Sequence, residues 1–412
     1  MFHVNSEVGA LKQVVLHEPG LDLERLTPGN KDELLFDDVV WVSRAREEHQ
    51  AFQQLLRDRG VTVHLLRDLL AETVKGEEAV VFVLDRILDD RQPHLGAALG
   101  RITERVLTAM GPDELATHLL GGLNKRELVE ALGERPHGGR SLGLDLLADD
   151  DFILPPLPNS LFTRDTSCWV YDGVSVNPMM KAGRKRETVN YETIYNFHPM
   201  FAENGGAHRW IDGEAMAPAS IEGGDVEVIG NGTVVVGLGE RTTPAGVEIL
   251  ARCLFQAGSA RRVIAVELPK ARALMHLDTV MTMVDRDAFT LFAGLDRRAL
   301  RSWTLTPGTG QVPDVTENKD FFAEIGAALG LDTVRVLQTE QDSYRSEREQ
   351  WNDGCNLLAV APGSVIAYEV NENSNRMLEE NGIEVLRIRG DQLGRGRGGP
   401  RCMSCPVERD AA

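Results

Sequence analysis

No stretch of eighteen consecutive apolar residues occurs in the 412-residue chain, so nothing in it reads as a membrane span. The opening residues lack the basic start and apolar centre of a secretory signal, and no signal peptide is expected. Positive charge is in short supply: 44 basic against 63 acidic residues leave a formal charge of −19. That balance argues against a nucleic-acid backbone or an anionic membrane as partner, and is compatible with a small cationic substrate. Cysteine is scarce and odd in number, at Cys168, Cys253, Cys355, Cys402 and Cys405. In a chain this long they read as reduced thiols of a cytoplasmic protein, not as a disulfide framework. What is present is core-forming sequence, 42% hydrophobic against 26% charged, enough for one large or two to three ordinary domains.

Two textures alternate along the chain. Residues 75–147 read as about five short helices throughout, with apolar residues recurring at three and four, as in Ile102, Val106, Leu107 and Met110. Breaks fall at Gly111-Pro112 and Gly121-Gly122. Elsewhere a different unit repeats: an acidic residue opens an apolar strand, a tight turn follows, and a second strand returns. Asp165, Asp225, Asp278 and Asp353 open four such hairpins, with turns at Asp172-Gly173, Asn231-Gly232, Asp285–Asp287 and Pro362-Gly363. Leu11–Leu16 is a plausible fifth copy. Helical patterns sit between copies, as at 244–257 and 318–330. Radial repetition of this unit predicts an α/β fold, a five-fold propeller of residues 1–74 and 148–412 with an all-helical domain inserted at 75–147. Strand starts would then converge on one axis and bring the four acids to one pocket.

Five clusters fall at these strand starts: Leu157-Pro-Asn159-Ser-Leu-Phe162-Thr-Arg164-Asp165, Ile221-Glu222-Gly-Gly-Asp225, Met275-His276-Leu-Asp278, Trp351-Asn-Asp353-Gly-Cys355 and Arg401-Cys402-Met-Ser-Cys405. In this order and spacing they resemble the arginine deiminase family of the guanidine-modifying (pentein) superfamily, over essentially the whole chain. The helical block matches the extra domain of deiminases that act on free arginine. The resemblance implies hydrolysis of L-arginine to citrulline and ammonia through a covalent cysteine intermediate, with no metal or organic cofactor, in a homo-oligomer of two or more subunits.

Attack on a guanidinium carbon needs a thiolate, which a nearby cation favours. Spacing alone does not choose between Cys402 and Cys405; the family pattern puts the nucleophile at Cys402. The competing reading of these two as a zinc or redox pair lacks a second ligand pair. His276 is the expected acid and base; a lone histidine is usually structural, but here Asp278 lies two residues on, on the same face if both sit on a strand. Glu222 would orient the ring. Asp165 and Asp278 would clamp the planar guanidinium, although either acid alone reads as a cap. By resemblance, Asn159, Arg184 and Arg241 hold the α-amino acid end, Phe162 packs on its stem, and Arg164 and Asp225 join the substrate site. Arg184 would otherwise read as part of a solvated basic loop. The glycine-rich run 390–401 reads as a mobile lid, with Arg397 by resemblance its gate; a roleless tail is the alternative. Two rivals stand beside the deiminase: another guanidine-modifying enzyme, such as an amidinotransferase or dimethylarginine hydrolase, and a non-catalytic scaffold.

Overall fold

The computed structural model describes residues 2–89, 95–133, 141–202 and 206–412. Asn231 and Gly232 both carry positive φ, 50° and 66°, as a two-residue hairpin turn demands. They close Val226–Gly230 antiparallel onto Thr233–Leu238. The helix Pro244–Ala257 then crosses back, and Arg262–Glu267 joins the return strand in parallel. The same order recurs. Ser167–Val170 pairs antiparallel with Gly173–Val176, which pairs in parallel with His208–Asp212. Met281–Asp285, Ala288–Leu291 and Arg335–Leu337 repeat it, as do Leu358–Ala361, Ser364–Tyr368 and Glu384–Ile388.

In the fifth sheet the two strands of the antiparallel pair come from opposite ends of the chain. Cys405–Arg409 takes the antiparallel place beside Leu11–Leu16, and Thr62–Leu65 is the parallel third strand. The five sheets stay separate from one another among the described residues. Most residues of the hairpin strands are buried, as expected for strands covered on both faces.

The predicted hairpins form, with one correction at their starts. Asp165, Asp225 and Asp278 lie not on strands but on single helical turns ahead of them, Thr163–Thr166, Gly223–Asp225 and Leu277–Thr279. The expectation that His276 and Asp278 share a strand face therefore fails. A hydrogen bond from the Thr279 N–H to the His276 carbonyl (3.2 Å), reinforced by the Thr279 hydroxyl (2.7 Å), closes the turn instead. The helix expected at 318–330 spans Phe321–Leu329, because the Asp320 side chain caps the Ala323 N–H at 2.9 Å.

Within 75–147 the helices are Glu77–Ile87, Gly96–Ala109, Pro112–Gly121, Lys125–Leu132 and Leu142–Leu146. The ends of two predicted helical runs, Asp90 and residues 134–136, lie outside the described residues. The stretch is not helical throughout: Leu123–Asn124 pairs with Phe152–Leu154, and Asn124 forms a reciprocal cap with Glu127. Its buried leucines, such as Leu107, Leu115 and Leu119, share one apolar cluster with Trp169, Val174 and Leu250 of the sheet-bearing part. No helix among the described residues is long and apolar enough to cross a membrane.

Candidate active site

The three helical turns and the loop before Cys405–Arg409 meet in the interior. Cys402, 3% exposed, donates its N–H to Asn356 Oδ1 (2.9 Å) and accepts at Sγ from Asn356 Nδ2 (3.0 Å). The thiol faces Asp278 Oδ2 at 3.5 Å, and that oxygen also takes Arg401 Nη1 at 2.8 Å. His276 Nε2 lies 2.8 Å from Glu222 Oε2, and its Nδ1 lies 3.5 Å from Asp165 Oδ1. Asp165 Oδ2 accepts from Arg184 Nη1 at 2.8 Å, and Arg241 Nη1 stands 3.4 Å from Glu222.

Burial alone would depress the His276 imidazolium. Asp165 and the Glu222 hydrogen bond outweigh it and lift the group to about 9, so the ring is cationic at neutral pH. Burial would raise Glu222, yet the His276 hydrogen bond and Arg241 bring it down to about 2. Cys402 goes the other way: burial, then the carboxylates of Asp278, Asp165 and Asp353, push its thiol well above the ordinary range against Arg401. Burial and neighbouring charge thus favour an imidazolium at His276 and a neutral thiol at Cys402.

A narrow cavity of about 10 Å³ is lined by Asn159, Phe162, Asp165, Arg184, Arg241, Arg272, His276, Arg397 and Cys402, among others. Eight of the expected residues thus share one wall, and Glu222 and Asp278 stand directly behind His276 and Cys402. Arg184 is no solvated loop residue: it is 3% exposed and bonds Asp165, Glu187 and the carbonyls of Asn159 and Phe162. Two expected substrate contacts lie elsewhere. Arg164 faces Glu7 at 3.5 Å, because its own N–H is tied to the Cys402 carbonyl and the side chain leaves on the far side. Asp225 accepts from the Leu277 N–H (2.9 Å) and the Thr242 hydroxyl (2.6 Å), so it braces the His276 turn from behind; burial raises its carboxyl to about 7. Asp353, read at the sequence level as a fourth converging acid, is buried beside Arg397 and does not line the cavity.

The glycines have packing reasons. A Cβ on Gly224 would stand 2.8 Å from the His276 ring and from Asp165 Oδ1, and one on Gly223 would stand 2.0 Å from the Arg164 carbonyl oxygen. Gly396 and Gly398 let this glycine-rich segment lie flat on Phe36 and Phe162, whose rings a Cβ would meet at 2.3 Å. Gly224→Ala should therefore displace the imidazole: kcat falls at least tenfold, with a drop in thermal midpoint of a few degrees. Unchanged kcat in the folded variant would contradict this placement of the ring.

A family model described as arginine deiminase matches residues 32–409. The chain belongs to the arginine deiminase family. Three solved structures share its fold at low identity. SxtG, an amidinotransferase from Microseira wollei in a saxitoxin pathway, aligns over 100% of this chain and 98% of its own at 13% identity, with a TM-score of 0.54. The DDAH of Pseudomonas aeruginosa, solved as a mutant complexed with citrulline, gives 13%, 96% and 99%, with a TM-score of 0.51. Unliganded AgrE gives 13% identity over 97% of this chain and 40% of its own, with a TM-score of 0.52. The family member described here thus has an α/β fold common to guanidine-modifying enzymes.

Asp165, Glu222 and His276 also bring three possible metal-ligand atoms within 4.8 Å of one another. An imidazole ligand needs a free lone pair, whereas both nitrogens of this ring face carboxylates that favour its protonated form. The group is built to hold a proton, and a metal ion would have to displace it. Sequence reasoning missed Asn356, Arg272 and Glu187. Asn356 had a signal: a polar residue directly ahead of the apolar run Leu357-Leu-Ala-Val, and only one position past Asp353-Gly-Cys355.

Proposed function

We propose that this protein is an arginine deiminase, hydrolysing L-arginine to citrulline and ammonia. The observation that carries this reading is the polarity of the cavity. Cys402 and His276 stand among the carboxylates Asp165, Asp278 and Glu222, and the guanidinium side chains of Arg184, Arg241, Arg272 and Arg397 line the same cavity. Free arginine carries a group for each kind, a guanidinium for the acids and a carboxylate for the guanidinium side chains. Arg241 Nε is buried and makes no hydrogen bond, with Glu240 Oε1 standing 3.6 Å away.

In this reading the substrate guanidinium sits between Asp165 and Asp278. Its positive charge offsets the carboxylates that hold the Cys402 thiol neutral, and the thiol gives up its proton to solvent as the substrate enters. Sulfur attacks the guanidinium carbon, and His276 passes a proton to the departing amino group, which leaves as ammonia. Neutral His276 then takes a proton from water, which adds to the thiouronium carbon. Collapse passes the hydroxyl proton to the departing sulfur, which regenerates the Cys402 thiol and leaves citrulline. Residues 1–74 and 148–412 would form the catalytic domain, five sheets about one axis, with 75–147 as the inserted helical domain.

The test incubates purified protein with L-arginine, chelator present and no added metal, and quantifies both products. Equimolar citrulline and ammonia support the reading. A folded protein that makes neither overturns it, and amidine transfer to an amine or turnover of methylated arginine would assign it to the related chemistries.

A further inference from the structure

We propose that Asn356 is a positioning residue for the nucleophile, the neutral donor that makes a thiolate tolerable in an acid-rich pocket. The proposal rests on the reading of Cys402 as the reactive thiol. Asn356 is fully buried, and its carboxamide spans Cys402 from both sides, accepting the backbone N–H at 2.9 Å and donating to Sγ at 3.0 Å. Because a backbone N–H can only donate, the amide oxygen must face it, and the NH2 group must then face sulfur. The same NH2 reaches the Asp278 carbonyl at 3.2 Å, so one side chain sets the distance between the sulfur and the acid across from it.

Around the sulfur the other polar neighbours are carboxylates, with Asp278, Asp165 and Asp353 all disfavouring a negative charge there. The thiol donates toward Asp278, a contact that disappears once its proton leaves. The amide N–H contact persists and strengthens, since a hydrogen bond to an ionised acceptor is about twice as strong as a neutral one. Arg401 supplies positive charge nearby, but its guanidinium is spent on Glu7, Asp278 and the Val226 carbonyl.

Backbone geometry fixes the amide in place. Asp353 adopts φ 59°, the Asn356 N–H closes back on the Asp353 carbonyl at 3.0 Å, and the Thr282 hydroxyl holds the Cys355 carbonyl. From the other side Gly399 rests directly on Asn356: a Cβ there would come within 2.7 Å of its carbonyl oxygen and 2.8 Å of its side-chain oxygen. Gly399→Ala therefore offers an independent way to push the carboxamide away without changing its chemistry.

The experiment measures iodoacetamide modification of the peptide containing Cys402 across pH, in the full-length protein and in N356D, N356A and G399A, beside kcat, KM and thermal midpoint. The expected result is a modification rate at least tenfold lower at a given pH, with the profile displaced upward by about one unit. Citrulline formation should show kcat lowered by a similar or larger factor and KM within threefold. A folded variant that keeps the wild-type modification rate and pH profile overturns the proposal, even if its thermal midpoint falls. Should the Asn356 variants fail to fold, Gly399→Ala is read by the same criterion. Alkylation needs no substrate, so a protein that makes no citrulline but shows Asn356-dependent modification of Cys402 sustains this proposal while removing the deiminase reading.

Discussion

Cys402→Ser should abolish citrulline production, a loss on the order of 10⁴-fold or more, while Cys405→Ser stays within about threefold of the parent. The two cysteines lie three positions apart and have different surroundings. Cys402 lines the cavity, with Asn356 at 3.0 Å and Asp278 at 3.5 Å from its sulfur. Cys405 begins the strand Cys405–Arg409 and turns its sulfur to the Ser167 carbonyl at 3.1 Å, in the apolar cluster with Trp169 and Tyr195. A serine hydroxyl in that second position keeps the hydrogen bond and loses little volume. In the first position a hydroxyl is far harder to ionise than a thiol, and the surrounding carboxylates make it harder still. Citrulline assays on both purified variants decide the matter; an inactive Cys405→Ser beside an active Cys402→Ser would reverse the assignment.

His276→Asn should cost about 10²- to 10⁴-fold in kcat, and the parent's activity should decline as pH rises through about 9. In the proposed reaction the imidazolium is the proton donor to the leaving group, and it is raised in the folded protein by Asp165 and Glu222 against burial. The same shift acts on stability. A group raised on folding stabilises fully below its unfolded value, near 6.5, and that contribution is lost as pH climbs through about 9. Glu222, lowered on folding to about 2, contributes above its ordinary carboxylate value, and its contribution is lost as pH falls through about 2. These are two views of one ion pair and count once. Urea midpoints of parent and His276→Asn, measured from pH 6 to 10, should converge at the alkaline end. Curves that run parallel across that range would refute the pairing.

The sequence carried the hairpins because Asn231-Gly232 and Asp172-Gly173 are turn chemistry, legible without tertiary context. It carried the helix Pro244–Ala257 for the same reason, with Thr243 as cap, Pro244 first and Gly258 in the left-handed region after its end. Parallel third strands such as Arg262–Glu267 went unremarked, since their pairing depends on a crossover rather than a turn. Within the site, residue types were legible and directions were not. Asp225 and Arg164 carry the right chemistry in the right clusters. Which way each side chain leaves its helical turn is set by contacts with Leu277, Thr242 and Glu7, distant in sequence. The strand assumed for His276 and Asp278 failed similarly, because a 3.2 Å hydrogen bond within a four-residue turn leaves no periodic trace.

Arg397 lines the cavity and is itself tied down. Its guanidinium lies 3.7 Å over the Trp351 ring and donates to the Trp351 and Ala273 carbonyls at 2.9 and 3.4 Å. Trp351 also borders an open depression with Asp37, Asp391 and Arg395. Displacing Arg397 would give up one stacked cation and two hydrogen bonds, about 3 kcal/mol in all. If the substrate of the proposed reaction enters past Arg397, roughly one molecule in a hundred would stand open, and the apparent dissociation constant would exceed the intrinsic one by that same factor. On that proposal a guanidinium of the protein would bar the way to the guanidinium it admits, and the threshold concentration of substrate would be set at the entrance, apart from the pocket beneath it.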